Sequence, residues 1–223
     1  MSLFNPSSKT AARREALKQD RLRMAVERDL SPRLFKEINR AAKYASEMYE
    51  KTDSKVSAKS TMPKHAKNIA ALLQRAYNVS IKNSAEYVIK EASDTQKSYF
   101  GIIERKDALT RAQQLIQQFI LSEAFSTARG IAQTTWGMIN ESIVRGAQEG
   151  LGTREIAKGI VSSAGGSIAR GRALTIARTE THAASQQASL KVVGEIPLPE
   201  TLKEWVSVDD KRTRDHHKDS SCL

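Results

Sequence analysis

Ile176-Ala177-Arg178-Thr179-Glu180-Thr181-His182 lies at the centre of the stretch 170–217, around which the rest of the chain is organised. Placed on a helix, Ala173, Ala177, Glu180, Ala184 and Ala188 fall at i, i+4, i+7, i+11 and i+15, on one face. That face is small and apolar, with a single carboxylate in its middle. Thr181 borders it, while Arg178 and His182 share a different face. A carboxylate on an alanine stripe is costly to bury unless a cation or several donors meet it. The sequence offers a supplier downstream, where Trp205-Val206-Ser207-Val208-Asp209-Asp210-Lys211-Arg212-Thr213-Arg214 follows a connector containing Pro197 and Pro199. Glu180 is therefore expected to be buried and paired with Arg212 or Arg214, holding a strand around Trp205 on the helix.

Working outward, the prolines exclude helix over 194–199, and 204–208 alternates like a strand. The turn-rich run 162–167 reads as a loop before a helix over 170–193. Thr153 reads as the cap of a preceding helix, with Glu155 near its positive end. The segment 146–152 ends the strongest periodic run of the chain. From about Ala108, Leu115, Ile116, Phe119, Ile120, Phe125, Ala128, Ile131, Ala132, Trp136, Ile139, Ile143 and Val144 form a nearly continuous apolar stripe. Gly130 and the pair Thr134-Thr135 are the places where a helix this long would kink.

Further upstream, a helix is expected from near Pro63 to about Val79, with a shorter one following through Ala85, Val88 and Ile89. The polar segment 51–63 reads as a linker. Ser31-Pro32 reads as a helix start, with Ser as the cap and Pro at the first helical position, followed by Leu34, Ile38, Ala41 and Ala45 at helical spacing. Residues 9–28 are charged nearly all round. They read either as a solvated helix or as a basic arm, with Arg13, Arg14, Lys18, Arg21 and Arg23 as contacts to DNA or to a neighbouring subunit. Helices this poor in apolar residues are expected to depend on other subunits for their order. The fold class expected is mainly α, with long amphipathic helices and a small C-terminal α+β module. The expected division is a basic helical arm over 1–60, a helical domain with a long central helix over 61–167, and the module over 168–223.

Composition bounds the function. Hydrophobic residues make up 39% and aromatics 5% of the 223 residues, which favours extended helices and partner contacts over one dense globule. The net charge of +11 points to a polyanion or an acidic protein. Residues 1–60 hold 14 Lys and Arg against 8 Asp and Glu, so over half of the excess lies in the first quarter. The single cysteine, Cys222, excludes an intramolecular disulfide framework and fits a reducing compartment. No apolar run approaches the ~20 residues of a membrane helix, and the first residues carry no secretory apolar core.

Two blocks at this spacing carry a family resemblance. Arg172-Ala173, Ile176-Ala177-Arg178-Thr179-Glu180-Thr181, then Trp205, then Asp210-x-Arg212-Thr213-Arg214-x-x-His217, resemble the C-terminal domain of the phage Mu F-like minor head proteins, also called phage head morphogenesis proteins. The stretch 143–160 resembles what precedes that motif: a helix, a Gly-Leu-Gly-Thr turn and another helix. The family pattern continues past the His into an Asp-Gly loop and further strand-like residues, whereas this sequence reaches Leu223 soon after His217. The resemblance thus implies a truncated module. It also implies a structural ion-pair cluster of Arg178, Glu180, Asp210, Arg212 and Arg214, with Trp205 and His217 packed around it.

What the resemblance implies for function is a structural minor head protein of a tailed bacteriophage, associated with the portal vertex and acting in head morphogenesis and DNA packaging or ejection. Its implied partners are the portal protein, the major capsid or scaffold protein, and double-stranded DNA bound without sequence preference, with no membrane involved. It would reside in the phage head near the portal, and in the bacterial host cytoplasm during assembly. Two alternatives come from other classes. A stand-alone DNA-binding protein would act through counterion release. A metal-dependent nuclease would need a ligand set that His182, His216, His217 and Cys222 do not make, since adjacent histidines do not easily face one ion and the cysteine stands alone. Some relatives carry cysteine pairs where this chain has Thr213-Arg214-Asp215. With no nucleophile elbow or phosphate-cradling loop either, no catalytic residue, metal site or cofactor is expected.

Overall fold

The computed structural model describes residues 9–96 and 102–195, and every regular element among them is helical. In chain order these are α1 (Lys9–Thr52), α2 (Lys55–Lys59), α3 (Met62–Gln96), α4 (Ile102–Gln148), α5 (Thr153–Ala164) and α6 (Gly166–Glu195). The mainly α class is as expected. The strand over 204–208 lies outside the described residues, and no strand occurs among the described ones.

Two apolar clusters hold the helices together. The first joins Leu30, Leu34 and Ile38 of α1 to Ile69, Leu73 and Tyr77 of α3, Ile120 and Ala128 of α4, and the alanine stripe of α6. The second gathers Ala41, Ala45 and Tyr49 of α1 with Ile139 and Ile143 of α4 and Ile156 and Ile160 of α5. Both contain α1, which packs on α6, α3 and α5. From Val26 onward this corrects the expectation that the N-terminal helices depend on other subunits, whereas no described residue of α1 before Val26 is buried. Leu34, Ile38, Ala42 and Ala45 are completely buried within the chain itself. The reason is economy of surface: alanines on α6 let the backbones approach closely, so a modest apolar stripe on α1 is enough to close the interface.

The helix start expected at Ser31-Pro32 is also corrected, because α1 runs through Pro32 without interruption. Pro32 lies on the exposed side, where water can satisfy a carbonyl that loses its partner. Leu30 and Leu34 on either side are locked into the core, and that packing outweighs the local breaker. The linker expected over 51–63 contains α2, whose first turn is capped by Ser54 Oγ accepting from the Ser57 amide. The long helix is longer than its apolar period indicates, since α4 spans 47 residues and stays helical through Gly130 and Thr134-Thr135. Phe125 and Val144, read as part of its buried stripe, are 51% and 41% exposed.

At α5 the cap is Gly152 rather than Thr153. Glu155 reaches back to accept from the Gly152 amide at 3.0 Å. The loop expected over 162–167 shrinks to a break between Ala164 and Gly166. A Cβ at Gly165 would lie 2.7 Å from the Val161 carbonyl oxygen and 2.9 Å from Asn39 Oδ1, so only glycine fits this corner. Gly166, at φ +56°, donates its amide to Asn39 Oδ1 at 3.0 Å. A side chain of α1 thus caps the start of α6 and fixes its direction.

Candidate functional site

The arrangement of α6 follows from its sequence. Ala169, Ala173, Ala177, Ala184 and Ala188 are 0–1% exposed, so the small-residue stripe is the buried face. Thr181 beside it is fully buried, and its hydroxyl donates to the Ala177 carbonyl at 2.8 Å. Arg178 and His182 share the exposed side, as their spacing requires. The polar motif residues point in different directions because each residue turns the helix by about 100°.

Each of those directions meets a different helix. Arg172 Nη1 donates to Thr135 Oγ1 of α4 at 3.1 Å and lies 3.4 Å from Met138 Sδ. Burial lowers the pKa of this guanidinium, but an arginine remains charged at neutral pH. Arg178 Nε donates to Glu27 Oε1 of α1 at 3.2 Å, and Arg23 Nη1 lies 3.5 Å from the other oxygen of that carboxylate. Glu180 accepts from the Tyr77 phenol of α3 and, at 3.5 Å, from Thr127 Oγ1 of α4. Burial first, then the hydrogen bond to the Glu180 carboxylate and its charge, push the Tyr77 phenol far above its usual range.

Glu180 is therefore half-buried and met by hydroxyls, while Arg178 turns away to α1. Asp210, Arg212, Arg214, Trp205 and His217, the other members expected around them, lie outside the described residues. Of the five basic arm residues, Arg14, Lys18 and Arg21 are exposed. Arg23 is bound to Asp20 at 2.5 Å, and nothing is described for the Arg13 side chain. His182 is exposed, whereas His216, His217 and Cys222 lie outside the described residues. Among the described residues, no group of three or more His, Cys, Asp and Glu is placed to hold a metal ion. No helix among them is long and apolar enough to cross a membrane.

One polar cluster is new. Glu37 of α1 and His65 of α3 are 5% and 3% exposed, with His65 Nδ1 2.6 Å from Glu37 Oε1. Asn68 Nδ2 donates to the same oxygen at 2.9 Å, and Arg40 Nη1 to the other at 3.0 Å. Burial alone would raise the Glu37 pKa. The hydrogen bonds from His65 and Asn68, with the charges of His65 and Arg40, outweigh it and hold the carboxyl below the usual range. The signal was available in the sequence: Glu37 falls between Leu34 and Ala41 on the apolar stripe, as Glu180 falls between Ala177 and Ala184.

These features define an α-helical scaffold in which, among the described residues, the motif side chains Arg172, Arg178 and Glu180 each join α6 to another helix. Residues 137–221 match a family model described as phage Mu protein F like protein. The chain thus carries a Mu F-like region, which starts within α4, includes α5 and α6, and contains both blocks that carry the resemblance in the sequence. No curated protein and no solved structure matches the chain.

Proposed function

We propose that this protein is a structural component of a tailed-phage head, acting non-catalytically in head morphogenesis close to the portal vertex and the packaged DNA. The observation that carries this is the Mu F-like match over 137–221. The geometry of α6 supports a scaffolding role, since Arg172, Arg178 and Glu180 each fasten it to another helix. The portal protein, with the major capsid or scaffold protein, is the protein partner in this reading, and the virion is its final location. Assembly takes place in the host cytoplasm.

The test is to remove the chain from its phage. Heads should then fail to mature or should lack infectivity, and restored heads should carry the protein at one vertex in an asymmetric cryo-EM reconstruction. Normal infectious particles without the chain would refute the proposal. A protein distributed evenly over the shell would refute the portal placement.

The net charge of +11 favours a second reading, sequence-independent binding to duplex DNA. Filter binding across a salt series should show affinity falling steeply between low and physiological salt. A flat salt dependence, or strong preference for one sequence, would remove it.

A further inference from the structure

A groove of about 1000 Å³ opens between α2, the start of α3 and the middle of α4. Its apolar lining includes Val56, 78% exposed, Phe125, 51% exposed, and the partly buried ring of Trp136. What sets Val56 and Phe125 apart from singly exposed apolar residues is that they share one groove with Trp136, and an apolar groove with a polar rim marks an interaction surface. The rim here has one sign. Lys59, Lys67 and Arg129 line it with no acidic residue among the lining groups, and all three are exposed. Lys59 Nζ sits 5.9 Å from the centre of the Trp136 ring, while Lys67 and Arg129 have no ion-pair partner among the described residues.

We infer that this groove docks an acidic amphipathic helix of another protein, with aliphatic or aromatic anchors between Phe125 and Trp136 and carboxylates facing Lys67 and Arg129. Phe125, Arg129, Ala132 and Trp136 recur along one face of α4, so the groove is about 16 Å long, or three helical turns. That length suits the i, i+3, i+4, i+7 anchors of a helix laid in a groove. Charge selects the occupant. A second copy of this chain, itself at +11, would bring like charge to a cationic rim. Duplex DNA would meet the cations but would leave the apolar floor uncovered. An acidic helix satisfies both parts. The inference rests on the groove alone and does not depend on a role in a phage head.

The experiment uses the full chain and a fluorescent 14-residue synthetic peptide with leucines at i, i+3, i+4 and i+7, four glutamates beside them and alanines elsewhere to favour the helix, read by anisotropy. A control peptide carries lysine in place of each glutamate. The acidic peptide should bind and the lysine peptide should not. Phe125→Ala should weaken binding about 30-fold, the effect of truncating a buried anchor. Charge reversal in the double variant Lys67→Glu/Arg129→Glu should weaken it at least as much. Val56→Ser is a second probe of the floor, at a position too exposed to threaten folding, and circular dichroism checks that each variant keeps its helix. Equal binding of the two peptides, no binding of the acidic peptide, or variants that bind like the parent would each overturn the inference. So would sedimentation showing that the groove is filled by a second copy, released by Phe125→Ala.

Discussion

Replacing Glu37 by alanine tests the buried polar contact between α1 and α3. The carboxylate receives three hydrogen bonds, but Arg40 is 56% exposed, so its share is strongly screened and is discounted. His65 and Asn68 remain, and a hydrogen bond to a charged acceptor contributes about 1.5–3 kcal/mol. Removing the acceptor strands the donors in a nearly dry site and leaves a void, so Glu37→Ala should cost about 3–5 kcal/mol at neutral pH. Glu37→Gln keeps the volume and one acceptor oxygen, and should cost about 1–2 kcal/mol. Urea unfolding followed at 222 nm gives both numbers, provided the slope with denaturant is unchanged. The sign with pH follows from the lowered carboxyl: its stabilisation is present above the unfolded value near 4.3 and is lost as pH falls through the folded value. The gap between wild type and Glu37→Gln should therefore shrink as pH falls below about 4. A Glu37→Ala cost under ~1 kcal/mol, or a Glu37→Gln gap that is the same at pH 3 and pH 7, would refute the reasoning.

Two glycines of α4 should respond in opposite directions. A Cβ at Gly137 meets nothing within 4 Å, so Gly137→Ala should stabilise by about 0.5–1 kcal/mol through helix propensity. At Gly146 a Cβ would lie 2.6 Å from Cγ1 of Ile156, itself buried, so Gly146→Ala should lower the melting temperature. Tyr77→Phe should cost about 1–2 kcal/mol at pH 7. Because the Tyr77 phenol is raised, the wild type should lose stability as pH rises above about 10, and the variant should lose less over that range. A residual alkaline loss remains from Tyr49, which burial and Asp53 also raise. Ala177→Leu, at a fully buried position, should cost upwards of ~2 kcal/mol by forcing α6 away from its neighbours, as thermal unfolding would show.

The sequence by itself determined the face of α6. Alanines at helical spacing are buried because period and side-chain size are local properties, and a polar residue among them has to find a partner. The helical class and the Mu F-like region were legible for the same reason, being written in periodicity and in two short linked blocks. The partners were not. Glu180 meets Tyr77 from 103 positions away and Arg178 meets Glu27 from 151 away, and no local rule selects one distant hydroxyl or carboxylate from many. Local breakers misled where packing overrode them. Pro32 sits inside α1 because Leu30 and Leu34 bury on either side of it, and 162–167 is nearly all helix because Asn39 of α1 caps the corner at Gly166. Tertiary structure alone decided that α1 is central. Its stripe looks thin in isolation and becomes sufficient because α3, α5 and the alanine face of α6 all close on it, where few side chains exclude water.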